Sequence, residues 1–219
     1  MRVSALLLFC VIAASPAAAQ DKASRVMLGV TGGTLGIGPE VTFRASPVVG
    51  VRANATFLGF GHEVDSSDIT YDGDLGLKSG GVMLDLHPLR NGFRISGGAR
   101  IGDNRVDLLA TPSRSVQIGN DVYTENQIGT VRGHVAADDF APVATIGWSG
   151  GLTRGVKLGF EAGAMFHGTP RVNDLVVTGP FANNPAVLAS LVEEEAEIES
   201  DIDGYKVYPV VQVSLGYAF

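Results

Sequence analysis

The sequence predicts an all-β protein: a closed antiparallel eight-stranded transmembrane β-barrel with one short helix in a long loop. Three observations lead to this fold class. Apolar and polar residues alternate in eight separate segments, the connections between them alternate between short and long, and the 219 residues include 29 glycines. Strict alternation is typical of strands with two different faces, and glycine permits the tight bending of closed sheets.

The eight alternating segments are separated by turn-forming residues. The clearest is VKLGFEAGAMFH (156–167), in which Val, Leu, Phe and Ala share one face and Lys, Gly, Glu and His share the other. The last segment alternates up to the final residue, Phe219. The predicted strands are 26–30, 34–44, 49–57, 80–87, 93–102, 141–152, 156–167 and 207–219.

The connections form a second pattern. They are short at 45–47, 89–92 and 153–155, and long at 61–74, 103–140 and 168–205. Short turns at one end and long loops at the other are typical of bacterial outer-membrane barrels. The first connection, around Gly32-Gly33, is short where this pattern expects a long one. The count of eight strands depends on how that connection folds.

The connection 168–205 contains the clearest helical pattern. Asn184 is a favourable N-cap, Pro185 suits the first helical position, and Gly204 suits the end. The sequence therefore predicts a helix over 185–203 that packs on the barrel rim or on the loop 103–140, with a partner protein as the alternative. Its apolar stripe consists of Leu188, Leu191, Val192, Ile198 and Ile202.

The polar face of the strands carries charges among many small residues, which suits a narrow lumen filled by side chains. The apolar face is continuous over all strands, which suits lipid; a soluble secreted barrel or sandwich is the alternative. Because a charge in a dry interior must be paired, we expect Glu40 and Glu161 to pair with arginines. The predicted lumen charge network is Glu40, Arg52, Asp85, Arg94, Arg100, Lys157 and Glu161. It fits either a structural salt-bridge network or a polar path for ions or small solutes.

The N-terminus has the features of a secretory signal peptide. Arg2 precedes an apolar run, and small residues stand at Ala17 and Ala19. We expect cleavage after residue 19, which leaves a barrel domain at 20–219. The only cysteine, Cys10, lies in the signal, so the mature chain has no disulfide for stability.

Charge and hydropathy exclude several classes of protein. The net charge is −7, and the segments 61–74 and 183–204 hold twelve acidic residues and no Lys or Arg. Acid concentrated in loops argues against a nucleic-acid partner. After the signal, no apolar run reaches the roughly 18 residues of a transmembrane helix.

No motif predicts a catalytic residue, a metal ligand or a cofactor, and we expect a non-enzyme. None of His62, His87, His134 and His167 lies in a motif near a serine that could act as a nucleophile. The acidic loop 61–74 offers hard oxygen ligands for Ca²⁺ or Mg²⁺ but lacks the spacing of an EF-hand. We interpret it as a solvated loop.

The C-terminal residues LGYAF, with Phe219 last and Tyr217 two before it, together with the export signal and the eight strands, resemble small Gram-negative outer-membrane β-barrel proteins. The similarity is to the OmpA membrane-domain and OmpW-like superfamily. The resemblance implies insertion by the barrel-assembly machinery, with Leu215, Tyr217 and Phe219 as the assembly signal. It also implies a monomer in the bacterial outer membrane, in contact with lipid and lipopolysaccharide.

The expected function is therefore a structural or surface-contact role in the cell envelope, with a charge-filled lumen. A narrow pore for ions or small solutes is the alternative. A lipid A-modifying enzyme is the third possibility.

Overall fold

The computed structural model describes residues 24–65 and 69–219. The predicted signal peptide, residues 1–19, lies outside the described residues. In chain order the elements are β1 (Val26–Gly33), β2 (Gly36–Arg44), β3 (Val49–Asp65), β4 (Ile69–Leu86), β5 (Phe93–Pro112), β6 (Val116–Ile118), β7 (Asp121–Tyr123), α1 (Glu125–Ile128), β8 (Val131–Ala136), β9 (Phe140–Trp148), β10 (Gly155–Phe166), β11 (Arg171–Val177), α2 (Pro185–Ile202) and β12 (Val207–Ala218).

Eight of these strands close into a ring of antiparallel pairs. The order is β1-β2-β3-β4-β5-β9-β10-β12, and β12 returns to β1, where Leu28 faces Tyr217 and Val30 faces Leu215. A closed ring leaves no unpaired sheet edge. The predicted eight-stranded antiparallel barrel is confirmed, and its strands are the eight alternating segments of the sequence. The short first connection is a tight turn of two residues, Thr34 and Leu35, between β1 and β2.

The long connections fold into further structure at one end of the barrel. We call β6, β7, α1, β8, β11 and α2 the outer layer, and the opposite end, with the short turns 45–48, 87–92 and 149–154, the turn end. Strand β5 belongs to both parts: residues 93–101 pair with β9 in the ring, whereas residues 105–110 pair with β8. Strand β11 then pairs with β8, and β6 pairs with β7.

Helix α2 occupies the predicted position and ends one residue earlier than expected. The Asn184 side chain accepts a hydrogen bond from the Ala186 amide, as an N-cap should. The helix packs on residues of the connection 103–140, one of the two predicted surfaces. The predicted apolar stripe was partly wrong, because Leu188 and Val192 are exposed, whereas Val187 is fully buried. The four-residue α1 was not expected. No helix in the described ranges is long and apolar enough to cross a membrane.

The acidic segment 61–74 is not an irregular loop in its described part. Residues 61–65 continue β3 and residues 69–74 continue β4, with Gly61 paired to Asp74. The expectation of a solvated loop was therefore wrong for these residues: the hairpin simply extends beyond the barrel ring. Residues 66–68, in the middle of the segment, lie outside the described residues.

The two faces of the barrel strands have opposite chemistry. On β10 the outward side chains Val156, Leu158 and Phe160 are exposed, whereas Glu161 is buried inside the ring. The same holds on β4, where Val82 and Leu84 are exposed and Asp85 is fully buried. The barrel thus places apolar residues outside and charged residues inside, the reverse of a soluble domain.

Candidate functional site: the charged lumen

Arg52 occupies the barrel interior and contacts carboxylates from three other strands. Its Nη1 and Nη2 atoms donate to the two Glu161 oxygens, each at 2.7 Å. Its Nε and Nη2 atoms donate to Asp85 at 3.2 and 3.3 Å, and Nη1 also donates to Glu40 at 3.3 Å. Strands β3 and β10 are opposite each other in the ring of eight. The pair of Arg52 and Glu161 therefore spans the lumen.

The carboxylates of this cluster have additional donors. Glu161 accepts hydrogen bonds from Thr145 Oγ1 at 3.0 Å and from Arg94 Nη2 at 3.4 Å. Asp85 accepts a short bond of 2.6 Å from Ser96 Oγ. The Nε and Nη1 atoms of Arg94 have no hydrogen-bond partner among the described residues. Arg94 is thus held mainly by charge, whereas Arg52 is held by directed hydrogen bonds.

Burial makes these ion pairs strong determinants of structure. Arg52 and Arg94 are each 1% exposed, and Asp85 is 0% exposed. A buried ion pair gains little over an apolar replacement, but removing one partner costs about 3 to 5 kcal/mol because the other charge stays unpaired. Replacing any one of these charged side chains alone should therefore lower the stability of the barrel substantially.

Glycines on the same face create the space that the charged side chains occupy. A Cβ atom at Gly147 would lie 2.8 Å from Glu161 Cβ, and one at Gly81 would lie 2.9 Å from Arg100 Cγ. Both distances are too short for real carbon atoms. The abundance of glycine on the polar face is thus explained by side-chain packing in a narrow lumen as well as by strand curvature.

Arg100 lies apart from the carboxylates and is held by neutral groups. Its guanidinium donates to Asn54 Oδ1 at 2.6 Å, to Thr56 Oγ1 at 2.8 Å and to Ser79 Oγ at 2.9 and 3.1 Å. Within the described ranges it forms no ion pair, although it is only 3% exposed. The expected pairing of Arg100 with Glu40 or Glu161 is therefore not what the structure has.

Lys157 does not join the network. Its Nζ atom donates to Thr153 Oγ1 in the turn before β10, and the residue is half-exposed at the turn end. The position is on the predicted polar face, but it lies at the end of the strand. A long lysine side chain there reaches solvent instead of staying inside the lumen. Of the seven predicted residues, the structure brings together Glu40, Arg52, Asp85, Arg94 and Glu161.

Sequence reasoning left several lumen residues out of the site. Arg44 donates to the carbonyls of Pro47 and Asn91, and His87 Nδ1 lies 3.0 Å from the Phe93 carbonyl. The neutral partners of the charges were also left out. The period-2 alternation placed all of them on the polar face except Ser79, which precedes the predicted strand 80–87, but it carried no signal for which polar residue contacts which. The neutral partners are Asn54, Thr56, Ser79, Ser96 and Thr145.

A second, apolar cluster fills the lumen on the side of the outer layer. It was not predicted, because Met83 and Met165 lie on the polar face of their strands and Leu35 lies in the turn between β1 and β2. Tyr208 packs against the cluster and donates a hydrogen bond to the Thr34 carbonyl at 2.8 Å. The lumen therefore has a charged part and an apolar part. The cluster consists of Leu35, Met83, Ala141, Val143, Met165 and Val210.

The residues of the predicted assembly signal lie on the outward face of β12. Leu215, Tyr217 and Phe219 are all exposed, and the rings of Tyr217 and Phe219 meet edge to face with centroids 5.1 Å apart. The Phe219 amide donates to the Val26 carbonyl at 3.0 Å, so the last residue is tied to the first strand.

Two solved structures resemble the whole barrel. One is described as the crystal structure of Acinetobacter baumannii CarO, with a TM-score of 0.58 and 22% identity, covering 89% of this chain and 98% of that chain. The other is described as the crystal structure of Acinetobacter baumannii CarO2, with a TM-score of 0.60 and 24% identity, covering 91% and 100%. At this identity the likeness shows the fold. No protein-family model and no curated protein sequence matches the chain.

Proposed function

We propose that this protein is a bacterial outer-membrane β-barrel with a sealed, charge-filled lumen, and that it has a structural or surface-contact role in the cell envelope. The observation that carries the proposal is the position of Arg52, which joins three carboxylates across the lumen. A barrel braced in this way is rigid and closed. We further propose that it is a monomer and not an enzyme.

The membrane location is supported by the outward face of the barrel. Large apolar side chains are exposed on every barrel strand, including Val156 at 73%, Ile101 at 67% and Ile37 at 62%. Such a surface on all sides of a soluble monomer is an aggregation hazard. In hydrocarbon the same apolar side chains are in a favourable environment. The closed ring also pairs the backbone donors and acceptors of its strands, as a membrane-spanning sheet requires.

A sealed lumen is supported by two successive barriers. The buried cluster around Arg52 excludes a free polar path, and the apolar cluster around Met165 and Val210 lies on the outer side of it. An ion would have to displace buried ion pairs and then pass the apolar cluster, and the loss of its hydration costs several kcal/mol.

The surface-contact role is supported by the organisation of the outer layer. Its apolar cluster around Ile128 and Val187 is separate from the barrel lumen, so the layer has a core of its own. Polar contacts join its parts: Glu193 accepts a bond from Asn120, and Glu194 accepts one from the Gly119 amide. A packed surface of this kind, rather than a flexible loop, suits contact with other molecules.

One observation favours the narrow pore as a second candidate. Some polar atoms in the lumen have no hydrogen-bond partner among the described residues: Arg94 Nε and Nη1 and the amide of Gln212. Groups of this kind would suit a hydrated path beside the ion pairs. The third candidate, an enzyme that modifies lipid A, has less support, since His87, His134 and His167 have no hydrogen bond to a serine among the described contacts.

Single-channel recording in planar bilayers tests the sealed lumen. We expect no openings from the wild type. The variant Glu161→Gln removes one charge of the ion pair that spans the lumen while keeping its shape, and Glu197→Gln, on the exposed face of α2, is the control. Openings in the wild type would contradict the sealed lumen and favour the narrow pore. Identical migration of boiled and unboiled samples, together with solubility without detergent, would contradict the membrane location.

The proposed dependence on the barrel-assembly machinery has its own test. We expect deletion of Phe219 to lower the yield of folded barrel in the outer membrane several-fold, since the aromatic end of β12 is the proposed signal. Removal of the acidic segment 61–74 is the comparison, because its described residues lie beyond the barrel ring. Equal yields of heat-modifiable barrel for the two deletions would contradict the assigned role of Phe219.

A further inference from the structure

Positive charge is concentrated at the turn end of the barrel. Five cationic residues lie there, and among the residues that the structure describes none of them forms an ion pair with a carboxylate. Unpaired cations at one end of a protein attract anions, and they do so more strongly where the site is partly shielded from water. The five residues are Arg25, Arg44, Arg90, Arg154 and Lys157.

Three of these cations line one cleft. It lies between the ends of β1, β2, β10 and β12, and it has a volume of about 30 Å³. That volume admits about two water-sized groups. Within the part of the chain that the structure describes, no acidic residue lines the cleft. Its polar lining consists of Ser24, Arg25, Thr42, Arg44, Ser149 and Lys157.

Two residues that line the cleft carry buried polar atoms with no hydrogen-bond partner among the described residues. Arg44 is 8% exposed, and its Nη2 atom donates to two backbone carbonyls, but its Nε atom has no partner. Thr42 is 7% exposed, and its hydroxyl also has no partner. A buried cation with an unused donor is costly unless a counter-charge satisfies it.

The backbone holds this arrangement in place. The Arg44 amide donates to the Arg25 carbonyl at 2.7 Å, and the Ser24 amide donates to the Leu152 carbonyl at 3.0 Å. Lys157 lies against Gly150, where an added Cβ would be 2.9 Å from Lys157 Cδ. The cations are therefore presented by paired strands and a fixed turn, which lowers the entropic cost of binding.

We propose that this cleft is a binding site for a phosphate group. Two guanidinium groups, an ammonium group and several hydroxyls suit an anion with several oxygens. A cleft with room for two oxygen-sized groups admits two oxygens of a phosphate, while the rest of the anion stays outside the cleft. The phosphate belongs either to a lipid headgroup of the leaflet around the turn end or to a free molecule. The lipid source rests on the membrane location proposed above, whereas binding of free phosphate does not.

Phosphate titration of the folded barrel in a phosphate-free, non-ionic detergent tests the site. The single tryptophan, Trp148, precedes Ser149 of the cleft, so its fluorescence can report binding. We expect a saturable change with inorganic phosphate that chloride at equal ionic strength does not produce. The variants Lys157→Gln and Arg25→Gln should each weaken binding about ten-fold, as expected for one charge-assisted hydrogen bond.

Arg154→Gln is the matched control, because Arg154 lies at the same end but does not line the cleft. We expect it to change the affinity less than about two-fold, as is usual for an exposed charge. Equal weakening by Arg154→Gln and Lys157→Gln, or an equal response to chloride, would overturn the site in favour of general electrostatic attraction. Heat-modifiable migration confirms that each variant is folded.

A competition measurement distinguishes the two sources of phosphate. Phosphatidylglycerol added to the detergent micelles should raise the apparent Kd for inorganic phosphate if a lipid headgroup reaches the cleft. An unchanged Kd assigns the site to free phosphate. If neither inorganic phosphate nor phosphatidylglycerol gives a response that Lys157→Gln weakens, the cleft is not a phosphate site.

Discussion

The barrel lumen and the outer layer bury opposite kinds of side chain. In the lumen, Arg52 and Asp85 are almost completely buried and paired with each other, and the apolar residues of the same strands point outward. In the outer layer, Ile128 and Val187 are fully buried, and the charges of α2 lie at the surface. The outer layer follows the rule for proteins in water, whereas the barrel reverses it.

The two regions are therefore stabilised by different physical effects. The outer layer gains stability from removing apolar surface from water. An apolar core of this kind tolerates substitutions that change the shape of a side chain better than substitutions that make it polar. The lumen depends on the pairing of its buried carboxylates with arginines, so stability is lost when one partner is removed. The junction between the two regions lies within β5, which pairs with β9 in the barrel and with β8 in the outer layer.

The largest effect is expected from Arg52→Met. Glu40, Asp85 and Glu161 would remain buried without their shared cation, and we expect a loss of about 3 to 5 kcal/mol in the free energy of unfolding. Urea unfolding of the barrel in lipid vesicles measures it. Arg105→Met is the control, because Arg105 is half-exposed in the outer half of β5 and its ion pairs are long, at 3.6 Å. Similar losses for both variants would contradict the importance of burial.

A smaller and local effect is expected from Leu191→Ala in α2. Leu191 is 5% exposed within the apolar cluster of the outer layer. Its truncation should destabilise that layer by about 2 to 4 kcal/mol while the barrel stays heat-modifiable. Hydrogen exchange of the α2 amides measures the effect, and Leu188→Ala on the exposed face is the control. Loss of the barrel together with the outer layer would show that the two regions are one cooperative unit.

Arg100→Met should cost less than Arg52→Met, since the partners left behind are neutral. Asn54, Thr56 and Ser79 would lose hydrogen bonds but would not become unpaired charges. We expect a loss of about 1 to 3 kcal/mol in the same urea experiment. A loss as large as that of Arg52→Met would mean that Arg100 also balances the negative charge of the carboxylates.

The smallest effect concerns His87, in the turn after β4. Burial lowers its pKa below the usual value for histidine, and the nearby positive charge of Arg44 lowers it further. The unfolded chain then binds a proton more readily than the folded barrel does, so this contribution to stability is present above about pH 6.5 and is lost as the pH falls. His87→Gln should remove about 1 kcal/mol or less of the acid sensitivity between pH 7 and pH 5. An unchanged slope of unfolding free energy against pH would refute this role of His87.

The alternation of residues was enough to predict the fold, because side chains on a strand point to opposite faces with a period of two. It assigned Arg52, Asp85 and Glu161 to one interior surface before any contact was known. It could not assign the partners: Arg100 was expected to meet a carboxylate and instead contacts neutral groups. Partners depend on strand register and on position along the barrel axis, which no single strand encodes.

The structure also decided what the long connections become. The acidic segment 61–74 was expected as a loop but extends β3 and β4, because residues on the two arms pair with each other beyond the ring. Likewise, the helical spacing of α2 did not separate buried Leu191 from exposed Val192, since the buried side of a helix is set by the surface it meets.

Local periodicity and capping were enough to predict the class of fold, the eight strands, the start of α2 and the chemistry of the two barrel faces. Four features emerge only from the tertiary structure: the charges that meet across the lumen, the position of Lys157 outside it, the apolar cluster on its outer side, and the three cations that line one cleft. Each of these depends on residues far apart in the chain. Their distances are fixed only when β12 closes on β1.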